Sequence, residues 1–128
     1  MKLKRITPLL VVDAIEPLLP LWRDALGFAV LAQVDDGPVL GFALLARDDQ
    51  HLMLQTRDSL AKDVPAVAAH NPGTILYTDV DDLDAAHETM QRATVLVGPR
   101  TTFYGAREIF YATPSGPVVA FAEHTAAD

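Results

Sequence analysis

The chain has 128 residues, half of them apolar, a formal net charge of −7 and no cysteine. That is room for one domain with a sizeable core and too little for two ordinary ones. Disulfides, thiolate nucleophiles, iron–sulfur clusters and zinc ribbons are excluded, and an acidic surface that repels phosphate backbones makes nucleic acid a poor partner.

The opening MKLKRITPLLVVD has a basic start and a short apolar run but no small-residue cleavage site, and acids follow at once. It reads as a strand over residues 6–12, not as a signal peptide. No apolar run reaches the roughly 20 residues of a membrane span. With no cysteine to protect or oxidise, a cytoplasmic setting is expected. In DAIEPLLPLWRDALGF, the residues Leu18, Leu19, Trp22, Ala25 and Leu26 fall on one helical stripe that Gly27 stops. Strands are predicted over 28–34, 39–46 and 51–56, separated by the turns DDGP and RDDQ. Residues 58–72 read as a connecting segment with a short helix around 65–69. The order then restarts. A strand over 74–80 leads into DVDDLDAAHETMQRA, where Asp81 or Asp82 caps a helix whose face carries Leu83, Ala86, Met90 and Ala93. A strand end at 95–98 and strands over 103–112 and 117–123, around the turn TPSG, complete the second half.

Each half thus reads βαβββ. LLVVDAIEPLLPLW lies over LYTDVDDLDAAHETM with Val12 on Val80 and Ile15 on Leu83, and LLARDDQHLMLQ lies over FYATPSGPVVAFA. A shared order of elements at this spacing indicates an internal duplication. The expectation is a single domain, residues 1–128, with a first module over 4–57, a connection over 58–72 and a second module over 73–124.

Three stretches carry a resemblance to a known family: VVDAIEPLLPLWRDALGF, ILYTDVDDLDAAHETM and YGAREIFYATPSGPVVAFAEH. Weak singly, in this order they resemble the glyoxalase/bleomycin-resistance/dioxygenase superfamily, the vicinal oxygen chelate proteins. The turn TPSGP keeps the proline and glycine of the usual DPDGN-like turn and loses its polar ends. The resemblance implies an α+β fold in which two tandem βαβββ modules form a curled mixed sheet around a cleft. In the family's enzymes that cleft holds one divalent metal on His, Glu or Gln side chains. Carried onto this chain, the four ligand positions are Thr7, Met53, Ile75 and Ala120, which include neither imidazole nor carboxylate. A slip of one residue would point each side chain to the other face of its strand. No metal ligand and no cofactor is therefore expected.

Other chemistries are no better supplied. The two serines, Ser59 and Ser115, lack a nucleophile-elbow pattern. There is no glycine-rich phosphate loop. The acids of DVDD are accounted for by helix capping and the helix dipole. His70, His87 and His124 read as solvated surface residues. His51 reads as a hydrogen-bonded, partly buried histidine or as a functional one. Trp22 reads as core.

Strand alternation puts Thr7, Leu9 and Val11, then His51, Met53 and Gln55, then Ile75, Tyr77 and Asp79, then Val118, Ala120 and Ala122 on inward faces. That is a greasy surface with a few polar groups, the composition of a small-molecule pocket. The candidate ligand-binding residues are His51, Met53, Gln55, Tyr77, Asp79, Phe103, Tyr104 and Arg107. Arg107 is as well accounted for by an ion pair across a strand. No catalytic residue is assigned. The resemblance also extends to metal-free, acidic, dimeric members that sequester bulky cationic drugs. The reading is a metal-independent small-molecule binder, for drug-like cationic or aromatic compounds, acting as a homodimer without nucleic acid or membrane partners. The alternatives are a metal-dependent lyase, isomerase or dioxygenase with displaced ligands, and a non-catalytic structural remnant.

Overall fold

Alternating apolar and polar residues carry most of the chain into strands, and the computed structural model describes residues 1–114 and 116–125. Ser115 lies outside the described residues. The strands are β1 (Leu3–Val12), β2 (Ala29–Asp36), β3 (Val39–Arg47), β4 (Gln50–Thr56), β5 (Thr74–Val80), β6 (Thr94–Thr101), β7 (Ala106–Ala112) and β8 (Val118–His124). Three short helices accompany them, α1 (Arg57–Asp63), α2 (Pro65–Ala68) and α3 (Leu83–Thr89). Parallel and antiparallel pairings both occur, so the α+β class with a mixed sheet expected from the sequence is present. No helix among the described residues is long and apolar enough to cross a membrane.

The chain forms two compact units. One is continuous, Pro8–Thr74; the other joins Met1–Thr7 to the chain from Ile75 onward. The division falls within β1.

In the continuous unit the strand order is β2-β3-β4-β1. Strand β1 runs parallel to β4, with Leu9 opposite Met53 and Val11 opposite Gln55. One face of this sheet buries Ile15, Ala43, Leu45, Leu52 and Leu54 against Leu18, Leu19, Trp22 and Phe28. The segment expected as one α-helix is instead a 3₁₀ turn, Glu16–Leu18, followed by a π-helical stretch, Pro20–Ala25. Pro20 has no N–H to give, so the α-helical ladder cannot continue through it. The chain widens, and Leu26 N donates to Leu21 O at 2.9 Å. The apolar stripe still reaches the core, with Trp22 edge-on to Phe28 at 5.4 Å.

The connection expected over 58–72 is more helical than the sequence suggested. Thr56 caps α1 by accepting from Ser59 N at 3.1 Å. Leu60, Val64 and Val67 are buried. A Thr N-cap and three apolar residues at helical spacing are the signal that a linker reading passes over.

In the other unit the order is β1-β5-β8-β7-β6. The start of β1 is tied to the end of β5, where Lys2 N donates to Asp81 Oδ1 at 2.6 Å and Asp81 N donates to Lys2 O at 3.1 Å. The helix cap is Asp82, which accepts from Ala85 N at 3.1 Å; Glu123 adds a second bond, taking Leu83 N at 2.7 Å. Helix α3 lays Leu83 and Ala86 over Val80, Ile109, Tyr111 and Phe121. These residues occupy alternate positions on β5, β7 and β8, so the intervening ones face away from α3.

Candidate functional site

The face turned from α3 carries the chemistry. Register across β5, β8 and β7 sets out two rows: Tyr77, Ala120 and Phe110, then Asp79, Ala122 and Glu108. Ile75 and Val118 pair in the row before them. The inward set read from β5 and β8 is thus in register on one face.

Glu108 is fully buried and is the hub of this face. It receives four hydrogen bonds. Arg100, directly opposite it on β6, donates to Oε1 from Nε at 3.1 Å and from Nη2 at 2.9 Å. The hydroxyls of Tyr77 and Tyr104 both donate to Oε2. A carboxylate offers about four lone-pair sites, and all are engaged. Burying such a charge without partners would cost several kcal/mol; a charge-assisted pair with Arg, supplemented by two hydroxyls, offsets that. Arg100 also stands over the Phe110 ring, with its guanidinium carbon 5.6 Å from the centroid.

The Tyr77–Glu108 bond crosses a strand. Neighbouring strands lie about 4.8 Å apart, so β5 and β7 are separated by roughly twice that across β8. The residues between are Ala120 and Ala122, both fully buried. Their methyl groups leave the space through which the tyrosine ring reaches the carboxylate. Burial and the charge of Glu108 push the Tyr77 hydroxyl well above its ordinary range, so it keeps its proton and acts as a donor.

Asp79 lies at the end of the same face. His124 Nε2 is 3.0 Å from its Oδ1, an ion-pair distance when the ring is protonated. Oδ1 is buried and accepts no well-formed hydrogen bond besides this contact. Burial raises the Asp79 carboxyl above the ordinary carboxylate range, with His124, Lys4 and Arg5 pulling the other way. Thr7 Oγ1 is likewise buried without a partner.

Of the candidate residues, Tyr77 and Asp79 stand together on β5, and Tyr104 joins Tyr77 through Glu108. Phe103 and Tyr104, expected at the start of a strand, lie in the turn before β7. Gly105, with φ +82°, bends the chain there, so pairing begins only at Ala106. Phe103 is 88% exposed and packs edge-on against Tyr104 at 5.1 Å. Arg107 belongs to the opposite face, where its Nη2 is 3.6 Å from Asp84 Oδ1 of α3. In the continuous unit, His51, Met53 and Gln55 share the face of Leu9 and Val11. There Gln55 is buried and donates to Ser59 Oγ at 3.1 Å, and His51 is half-buried opposite Ala46.

Two histidines expected to be solvated are engaged. His87 Nδ1 lies 2.6 Å from the Tyr111 hydroxyl because α3 packs on β7, and His124 faces Asp79 because β8 runs on to residue 124.

The site's central pair, Glu108 and Arg100, was not read from the sequence. In AREIFYA, period-2 alternation puts Glu108 between Ala106 and Phe110 on the inward face, a lone charge in an apolar row. That was the available signal. Arg100 was hidden because β6 runs to Thr101, beyond the glycine and proline at which a strand is expected to end.

The residues at the positions that the resemblance matches to the family's metal ligands do not fit a divalent ion. Ile75 and Ala120 have no donor atom, and Thr7 offers only a neutral hydroxyl. Met53 offers a thioether, which suits soft ions. Among the described residues no group of three or more His, Asp or Glu is arranged to hold a metal.

A sequence profile of the Glyoxalase/Bleomycin resistance protein/Dioxygenase superfamily matches residues 2–121. Comparison with curated proteins finds no match. Among solved structures, the chain is similar to a glyoxalase/bleomycin resistance protein/dioxygenase superfamily member from Vibrio splendidus. The TM-score is 0.70 and the identity 20%, over 95% of this chain and 99% of that one. A hypothetical protein from Bacillus halodurans gives a TM-score of 0.72 at 18% identity, over 100% and 99% of the two chains. Methylmalonyl-CoA epimerase from Streptomyces coelicolor, solved with 2-nitronate-propionyl-CoA, gives 0.66 at 20% identity, over 98% and 100%. Likeness at this identity speaks to fold, and the profile match over nearly the whole length speaks to descent: the chain belongs to the glyoxalase/bleomycin resistance protein/dioxygenase superfamily.

Proposed function

We propose that this chain is a metal-independent small-molecule-binding member of the superfamily, working as a homodimer in the cytoplasm. One observation carries the reading. The positions that hold a cation in the family's enzymes are Thr7, Met53, Ile75 and Ala120, and the space beside Ala120 is used by the Tyr77–Glu108 bond. What remains is apolar surface with directed polar groups, which suits recognition of an organic molecule more than activation of one. Glu108 is a poor general base, since each of its lone pairs already holds a donor. The ligands expected are aromatic or cationic, in keeping with a net charge of −7.

The test is twofold. Purified protein is analysed for zinc, iron, nickel and manganese, and its melting is followed against a panel of amphipathic cations and aromatic metabolites. A metal blank with a melting shift for some member of the panel supports the reading. A ligand at 100 times its dissociation constant adds roughly 2.7 kcal/mol, which such a melt resolves. Stoichiometric metal would return the chain to the enzymes of the family. A second reading, in which the face is filled by its own side chains and binds nothing, is favoured by the complete burial of Ile75, Ala120, Ala122 and Glu108. It predicts no shift from any compound.

A further inference from the structure

The segment between β4 and β5 does more than connect them. With the end of β1 it walls a cavity of about 270 Å³ whose lining comes entirely from Pro8–Thr74. Val11 and Leu60, 5% and 3% exposed, are its most buried lining residues, and Ala61 and Ala68 continue the apolar surface. Backbone bonds place the walls. Asn71 N donates to Ala68 O at 2.8 Å, and Val11 N donates to Gly73 O at 2.9 Å. Between them Asn71 takes the left-handed conformation, with φ +48°, which asparagine tolerates better than most residues. The buried side chains of Leu60, Val64 and Val67 anchor α1 and α2.

Three polar side chains share the lining: Arg57, Asp58 and Asn71. Arg57 is held from two sides, with Nε 3.0 Å from Asp13 Oδ1 and Nη1 3.5 Å from Asn71 Oδ1. A guanidinium has five N–H groups, so these two bonds leave it capacity for a further acceptor. A carboxylate matches that fork in both charge and spacing. The Asp13 pair is a weak competitor, since the Asp13 side chain is 90% exposed and solvent screens such pairs. A ligand that brought only a carboxylate would meet Asp13 and Asp58 as like charges. Asp58 lines the same cavity, and the lysine one turn on, Lys62, is engaged by Asp36 at 2.7 Å. The cavity thus offers a cation and a carboxylate over an apolar floor. A molecule with both charges and an apolar body matches all three, and adds no negative charge to a chain already at −7. The volume is at the small end for ligand sites, which suits a compact metabolite.

We infer that this cavity is a ligand site of its own, for a free α-amino acid with an apolar side chain. The carboxylate lies on Arg57, the ammonium on Asp58 and the side chain over Val11 and Leu60. Ala61 and Ala68 suit the role, because larger side chains there would fill the space. The inference goes beyond the binding reading of the β5, β8 and β7 face and uses none of that face's residues.

Amide chemical-shift mapping of the isotope-labelled chain, titrated with L-leucine at millimolar concentration, tests it. Isocaproate, which is leucine without its amine, and isopentylamine, which is leucine without its carboxylate, are titrated beside it. Leucine is expected to shift the amides of Leu60, Ala61 and Asn71. Each analogue is expected to bind about tenfold more weakly, the factor for one lost charge-assisted hydrogen bond. Arg57→Gln is expected to weaken leucine by about the same factor. Asp13→Asn is expected to bind leucine as well as the wild type or better, which separates contact by Arg57 from mere loss of the Asp13–Arg57 pair. Both side chains are exposed enough for the fold to tolerate the changes. No shift, shifts confined to other residues, an analogue as good as leucine, or equal behaviour of Arg57→Gln and Asp13→Asn overturns the site. The melting panel for the other face is read separately, so either site can fail without the other.

Discussion

A Cβ built on Gly98 would lie 2.3 Å from the carbonyl oxygen of Glu108 and 3.1 Å from Cα of Ile109. Gly98 also has φ +106°, where L side chains are strained. The near contact brings β6 against β7 at the level of the hub, and Arg100 follows two residues on. Both obstacles are backbone, so neither can turn aside. Gly98→Ala is expected to lose about 2–4 kcal/mol in urea denaturation and to displace Arg100 from Glu108. Wild-type stability in this variant would mean that the close approach plays no part in setting the ion pair.

Removing the carboxylate should cost more than removing the pair. Glu108→Ala strands the Arg100 guanidinium and two tyrosine hydroxyls, with an expected loss of about 3–5 kcal/mol. Replacing Arg100 by Leu together with Glu108 by Gln takes away both charges and leaves an amide that still accepts from the hydroxyls. The double variant is expected to be more stable than Glu108→Ala, and chemical denaturation of the double variant and its two singles, Arg100→Leu and Glu108→Gln, reads the coupling. Equal losses would show that the ion pair is not the source of the cost.

Ala120 and Ala122 are expected to tolerate no growth. Ala120→Leu would place a branched side chain in the path from Tyr77 to Glu108, at a fully buried position. Overpacking of this kind costs typically 1–3 kcal/mol, and loss of the tyrosine hydrogen bond adds about 1 kcal/mol. Thermal melts give the sum. Tyrosine ultraviolet difference spectra reveal whether the Tyr77 hydroxyl has been released, and an unchanged spectrum would mean that the ring does not pass over this position.

Asp79 sets a pH dependence of definite sign. Its carboxyl is held above the ordinary value of 3.8, chiefly by burial, so the folded chain binds this proton more tightly than the unfolded one. The associated stability is fully present below the unfolded value and is lost as pH rises through the folded one. Asp79→Asn should therefore flatten the fall in stability through that acidic window and leave the chain more stable than wild type above it. Urea titrations from pH 3 to 8 check this. A variant less stable than wild type at pH 7 would show that the attraction of His124, Lys4 and Arg5 outweighs burial.

Much of this architecture could be read from residue patterns, and the failures have physical causes. The alternation Ile75, Tyr77, Asp79 placed three side chains on one face, and the register with Val118, Ala120 and Ala122 bears it out. The same rule applied to AREIFYA would have exposed Glu108. The cation of the motif, Arg107, is the more conspicuous charge there, and it turns to Asp84 on the helix side. Arg100 lay beyond a glycine–proline pair that ordinarily ends a strand, and here β6 continues across it through a register shift. The first helix was misread because an apolar stripe at helical spacing survives the widening that Pro20 imposes. What no pattern reveals is the meeting of Tyr77 with Glu108. Their separation of 31 residues is closed by tertiary structure alone, over two alanines whose significance in sequence is only their smallness.

The boundary between the two compact units inside β1 has a consequence for biosynthesis. Pro8–Thr74 emerges from the ribosome as an uninterrupted stretch, whereas Met1–Thr7 finds its companions only from Ile75 onward, after that stretch has been made. Residues 1–7 must therefore wait for the intervening residues to be made before Asp81 arrives to accept from Lys2 N. Nascent chains arrested shortly after residue 74 has cleared the exit tunnel should already protect Leu52 and Leu54 from amide exchange while leaving residues 1–7 open to proteolysis.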